Sequence, residues 1–222
     1  MHQGTAERLA SLYLKIKRRV ISEGFGDDID WQAGCALDSL TESTFLREAA
    51  WVVLSAGISE AVVRRCFKGI TTAFMEWESA ALISENRDLC FRAAMEVFAH
   101  AGKISAIAEI ADYVHARGLE AVKRDLEENG PDALRELSWM GPITACHLAK
   151  NVGLDVAKPD RHLVRIAQAV GASSPHALCK SISDVVGDRI GVVDLVLWRF
   201  AATERRYLSH FSVPRRRSAQ RR

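Results

Sequence analysis

No CxxC pair occurs anywhere in the 222 residues. The five cysteines, Cys35, Cys66, Cys90, Cys146 and Cys179, are widely scattered and odd in number. That pattern argues against a disulfide framework and against a cysteine-bound zinc or iron–sulfur centre. They read instead as small buried hydrophobes. Long apolar runs are also missing, since nothing approaches the roughly 20 residues needed to span a bilayer. The opening stretch, MHQGTAERLASLYLKIKRRV, lacks the basic-then-apolar order of a secretory signal. A cytoplasmic protein with no membrane partner is expected.

Low-complexity segments and clear repeats are absent too. Hydrophobic residues make up 48% and charged residues 26%, the balance of a soluble globular chain and not of a disordered one. The length buries a real core, as one large domain or two small ones.

A strong excess of one charge is lacking, although the net value of +2 hides an asymmetry. Residues 214–222, PRRRSAQRR, hold five arginines and no acid, so residues 1–213 carry 25 basic and 28 acidic groups. The folded body is therefore not globally basic, and a polyanion must be met by local patches. The tail is expected to be disordered, either as a solvated terminus or as a source of non-specific attraction to phosphate.

Period-two alternation is scarce, while helical periodicity is everywhere. Helices are predicted over about 5–22, 42–56, 59–76, 85–100, 103–117, 118–128, 131–138, 142–152, 160–171, 175–187 and 190–209, from periodicity and punctuation. Pro131, Pro142, Pro159 and Pro175 fall at proposed starts, and Gly57, Gly118, Gly130, Gly153 and Gly171 at proposed ends or turns. GVVDLVLWRF (191–200) has a strand-like composition, but its length and its run into AATERRYL favour a buried final helix. The fold class is all-α.

Within WMGPITACHLAKNVGLDVAKPDRHLVRIA (139–167), a tight turn at Trp139–Gly141 precedes a helix beginning near Pro142. Such a turn can present backbone N–H groups to a phosphate, positioning DNA without reading a base. It could equally be an ordinary αα-hairpin. Asp160 follows Lys158 and Pro159 at the mouth of the next helix, where it is either a simple N-cap or a cap that also does chemistry.

The pattern L-x-x-x-G-x-x-T-A (Leu137, Gly141, Thr144, Ala145), then a loop with Gly153 and Pro159, then D-x-H-x-x-R-I (Asp160, His162, Arg165, Ile166) resembles the helix-hairpin-helix DNA glycosylases. This is the superfamily of endonuclease III and the alkyladenine glycosylases. Upstream, FLREAAWVVLSAGISEAVVRRCF (45–67) is similar to the family's early helix, with Leu54 and Ser55 in its usual ending. AGKISAIAEIADYV (101–114) is similar to its glycine-led helix of small residues. The resemblance covers roughly residues 40–172 and is strongest from the hairpin to the aspartate.

It implies two helical subdomains with a DNA-binding cleft between them. One is a central six-helix bundle, 38–151, carrying a helix-hairpin-helix at 131–152. The other joins both chain ends, 1–37 and 152–213, and carries Asp160. It also implies base flipping, with Asp160 as the catalytic carboxylate beside the sugar. The implied contacts to duplex DNA are Trp139, Met140, Gly141, Ile143, Thr144, Lys150, Lys158 and Arg161. Trp51, Gly57, Trp77 and His162 are the candidates for the base pocket, with Trp31, Trp139 and Phe25 as further stacking candidates, although tryptophans in an all-α domain more often belong to a core. His147 and His162 could be structural histidines, and Arg165 either joins a local basic patch or pairs internally.

Several departures qualify the implied activity. Members that also nick the strand carry a lysine where this chain has Ile143, which forms no imine, so a glycosylase without lyase activity is expected. Lys150 and Lys158 are possible substitutes, and phosphate or solvent contact is the preferred reading of both. Ser138-Trp139 replaces the hairpin's usual Pro-Gly, and Gly57 replaces the glutamine that fills the gap of a flipped base. No cofactor is expected, apart from room for a monovalent cation at the hairpin, and neither an iron–sulfur cluster nor another metal. The expected partner is double-stranded DNA with a damaged or modified base, bound by a monomer. A lesion-sensing protein without catalysis and a helical protein–protein module are the alternatives.

Overall fold

The computed structural model describes residues 3–211, and the arginine-rich tail lies outside them. Among the described residues every regular element is a helix, and none is long and apolar enough to cross a membrane. In chain order these are α1 (Gln3–Val20), α2 (Gly26–Gly34), α3 (Glu42–Ser55), α4 (Glu60–Ala73), α5 (Ala80–Glu85), α6 (Arg87–Val97) and α7 (Ala101–Arg117). They continue with α8 (Leu119–Asn129), α9 (Pro142–Asn151), α10 (Arg161–Val170), α11 (Pro175–Val186), α12 (Ile190–Thr203) and α13 (Leu208–Phe211).

Local chemistry sets many of the boundaries. Thr41, Ser79, Asp160 and Ser174 each accept a backbone N–H two or three residues ahead, capping α3, α5, α10 and α11. Pro142 and Pro175 occupy first-turn positions, where a missing N–H costs nothing. The apolar run at 191–200 is helical, inside α12, and almost wholly buried.

Five segments depart from the sequence expectation, one of them the single helix expected over 190–209, which ends at Thr203 and is followed by the separate short helix Leu208–Phe211. Residues 26–34 form α2, and residues 80–85 form α5 ahead of α6. The expected helix at 131–138 is instead a 3-10 segment, Gly130–Leu134, followed by turns. Gly130 enters it with φ +60, so the backbone is not prepared for a regular α-helical start. Helix α4 stops at Ala73, after which Met75, Glu76 and Trp77 all hold positive φ, of 54, 55 and 62 degrees. That conformation is strained for non-glycine residues. Burial of Phe74 and Trp77, whose rings stack at 5.2 Å, accompanies it.

The described residues divide into two units, 3–33 with 157–211, and Gly34–Val156. In the first, α1 packs on α11 and α12, and α10 on α12 and α13. Its core gathers Leu9, Tyr13, Ile16, Leu163, Ile166, Ile182 and Phe200, among others. Polar ties join the two chain ends inside this unit. Tyr13 Oη donates to Asp188 at 2.6 Å, and the buried Arg199 guanidinium meets Asp28 at 2.6 Å.

The second unit is a helical bundle in which α3 packs on α7 and α9, α5 on α7, and α4 on α6. Its core includes Phe45, Val53, Ile70, Ile104, Leu126 and Leu148. Asn151 Nδ2 donates to the buried Glu48 at 3.0 Å, tying α9 to α3. Burial raises the Glu48 carboxyl above the usual range, opposed by Arg47 and Asn151. Helix α9 closes with paired bonds, Leu154 N–H to Ala149 O at 2.9 Å and Gly153 N–H to Lys150 O at 3.2 Å, the pattern of a Schellman turn. All five cysteines are reduced, with Cys90 and Cys179 fully buried and the others half-buried.

Candidate active site

Asp160 sits in extended conformation directly before α10, and its Oδ1 accepts the N–H groups of His162 at 2.8 Å and Leu163 at 2.9 Å. The second oxygen makes no hydrogen bond among the described residues, and the side chain is half-exposed. One oxygen is thus spent on the cap and the other is left unengaged. The segment leading to it is also fixed. Asp160 N–H donates to Lys158 O at 2.8 Å, and Lys158 N–H donates to Asp194 Oδ1 at 2.9 Å. Asp194 is itself buried inside α12.

His162 lies beside this carboxylate. Burial holds its pKa below the usual histidine value, against the pull of Asp160. Its Nδ1 and the hydroxyl of Tyr207 are both buried without hydrogen-bond partners among the described residues, and the two rings meet edge to face at 5.4 Å.

In the other unit, the turn before α9 places Trp139 at φ +66 and Gly141 as the extended residue before Pro142. The left-handed backbone that glycine would supply is therefore kept by a tryptophan. Thr144 Oγ1 lies 2.9 Å from Trp139 O and 3.1 Å from Gly141 O, donating back into the turn. Pro142 has no N–H, and those of Ile143 and Thr144 fall in the first turn, where no intrahelical acceptor exists. Trp139 and Ile143 are 43% and 48% exposed, so this end of α9 offers outward N–H groups between two apolar side chains.

Packed against the Trp139 ring is Lys103, which is only 2% exposed. Its ammonium donates to the carbonyls of Val53, Leu54 and Ala56 at the end of α3, and lies 4.6 Å from the Trp139 ring centroid. The ring therefore has a cation beneath it and the edge of His100 beside it at 5.5 Å. Burial draws the Lys103 pKa down, while the negative end of the α3 dipole favours the charge. Removing the ammonium leaves the helix-end carbonyls short of a donor. Lys103→Met is expected to cost about 2 kcal/mol, read as a lower urea midpoint at unchanged slope.

The remaining candidates scatter across the two units. Arg161 and Arg165 are exposed on α10, and Lys158 is half-exposed ahead of it. Lys150 is buried in α9 and so does not present its head on the surface, and the Met140 side chain is buried as well. Trp77 is buried, with Nε1 bonded to Thr71 Oγ1 at 3.0 Å, which gives it a packing role that leaves no face for a base. Trp51 is half-buried, edge-on to Phe67 at 5.1 Å with the Arg64 guanidinium over its ring. Gly57 is exposed with φ +75. No group of three or more metal-ligating side chains occurs among the described residues.

Sequence reasoning missed Asp194, Lys103 and Tyr207. Asp194 carried a usable signal, a single carboxylate inside an apolar helix, because such a group is costly to bury without donors. Compared with known proteins, the chain matches no family model and no curated protein.

Proposed function

We propose that the protein is a monofunctional DNA glycosylase acting on a damaged or modified base in duplex DNA. The observation that carries this reading is the carboxylate of Asp160, anchored through one oxygen by two amides and unengaged at the other. In this reading residues 131–152 serve as the helix-hairpin-helix, and the unit built from both chain ends supplies the catalytic acid. The N–H groups at the start of α9 hold a phosphate, which positions the strand without selecting sequence. Arg161 adds a basic contact at the start of α10. The protein acts as a monomer.

The chemistry follows from a fixed negative charge near deoxyribose. As the flipped base departs, positive charge develops at C1′ and the adjacent ring oxygen, and a carboxylate stabilises it. Water then forms a bond to C1′ while the C1′–N bond breaks. The bonding pair leaves with the base nitrogen, which takes up a proton, and the proton lost by the water passes to Asp160 or to solvent. The products are a free base and an abasic site, and water is the only co-reactant.

Ile143 stands where an imine-forming lysine would be needed for strand nicking, so the abasic site is left intact. Duplexes carrying ethenoadenine, oxoguanine, uracil or hydroxymethyluracil test this directly. At least one is expected to break only after alkali treatment, and borohydride is expected to trap no covalent complex. A trapped complex would refute the monofunctional assignment. Tight duplex binding with no excision would favour a lesion-sensing role instead.

A further inference from the structure

Asp194 is 1% exposed in the middle of α12, flanked by Val192, Val193, Leu195 and Val196, all buried. A carboxylate in that setting forfeits its hydration and is tolerated only where donors replace the water. One such donor is the N–H of Lys158, at 2.9 Å from Oδ1. Lys158 stands two residues before Asp160 and accepts the Asp160 N–H through its carbonyl at 2.8 Å. Pro159 between them has its φ locked by the ring. The segment 158–160 is therefore pinned at both ends. Asp194 holds it from α12, and the first turn of α10 holds it through Asp160 Oδ1.

We propose that Asp194 is a positioning residue for Asp160. The buried carboxylate fixes the height and direction at which the chain enters α10, and so the place of the unengaged Asp160 oxygen. Packing alone would be served as well by leucine, which carries no desolvation cost. What leucine lacks is an acceptor for the Lys158 N–H, and that bond sets the turn. Misplacement of a catalytic group by about 1 Å lowers a rate on the order of a hundredfold. The proposal rests on the glycosylase reading for its consequence in rate, but its structural part can be tested without it.

Hydrogen exchange of backbone amides in the wild-type protein is the first measurement. The Lys158 amide is expected to be protected by about 100-fold or more over an unfolded peptide, because its acceptor is buried. Exchange at the unprotected rate would overturn the proposal whatever the protein's activity. Excision rates then test the consequence, measured in single turnover on whichever panel duplex the wild type cuts. Asp194→Ala is expected to slow excision about 100-fold while binding to a tetrahydrofuran-containing duplex changes less than about threefold. Asp194→Asn retains a side-chain carbonyl for the same N–H, and is expected to stay within about tenfold of wild type.

An alanine variant as fast as wild type would overturn the proposal. So would an asparagine variant that is as slow as alanine although its Lys158 amide stays protected. If the alanine variant does not fold, the wild-type exchange and the asparagine variant still decide. A wild type that excises nothing refutes the glycosylase reading instead. Positioning then stands if the amide resonances of Asp160, His162 and Leu163 shift in Asp194→Ala and stay in place in Asp194→Asn, and falls if Asp194→Ala leaves them unmoved.

Discussion

Asp160→Asn is expected to fold and bind duplex DNA like the wild type, and to lose excision by about a thousandfold or more. The substitution separates the observed cap from the catalytic role proposed for the same residue. Asparagine is as good an N-cap as aspartate, and its side-chain oxygen can accept the same His162 and Leu163 N–H groups. Helix α10 therefore keeps its start, and thermal stability should change by less than about 1 kcal/mol. What disappears is the negative charge, and with it both the stabilisation of the developing cation and the acceptor for a proton from water. Equal loss of stability and activity would indicate a cap and nothing more. Full activity in the asparagine variant would remove Asp160 from the chemistry.

Gly153→Ala is expected to be the most damaging single-methyl change in the bundle unit, lowering stability by about 3 to 5 kcal/mol. Gly153 holds φ +113, a conformation that side-chain-bearing residues avoid. A Cβ built there lies 2.4 Å from Leu37 N, 2.5 Å from Ala36 C and 2.8 Å from Ala36 Cα. These neighbours are backbone atoms, so no side-chain rotation relieves the clash. Either the Schellman turn that ends α9 opens, losing the Leu154-to-Ala149 bond, or the 36–37 segment moves away. A urea titration of the two proteins measures the difference directly. A change below about 1 kcal/mol would mean that the turn relaxes far more easily than its contacts indicate.

The helices that could be read from the sequence were those whose ends carry their own chemistry. Ser174 before Pro175, Asp160 before Arg161, and Gly171 after Val170 are local signals, and α10 and α11 fall within a residue or two of expectation. Helix α2 was illegible because its sequence, GDDIDWQAG, opens with glycine and two acids and reads as a loop. Its helicity depends on tertiary contacts, such as the buried Ile29 and the pairing of Asp28 with Arg199. The left-handed run at 75–77 likewise accompanies the packing of Phe74 and Trp77, which no local rule foretells.

The site shows the same division. Asp160 as a cap and the turn before α9 were visible as spacing and residue type. Trp139 in place of glycine looked like a defect in that turn, yet the backbone keeps the left-handed geometry, supported by Lys103 from a helix 36 residues earlier in the chain. Lys103 gave no warning, because a lysine in GKISAIAEIA reads as an exposed position on a helix of small residues. Lys150 misled in the opposite sense, since a basic residue near a presumed DNA contact is buried in the structure.

The measurement that bears most directly on the proposed activity is release of free base from the lesion duplexes, followed by mass spectrometry with wild type and Asp160→Asn side by side. Wild type is predicted to release one modified base and leave an intact, alkali-labile strand, and the asparagine variant to release essentially none. Release of no base from any duplex by the wild type, or equal release by both proteins, would contradict the account.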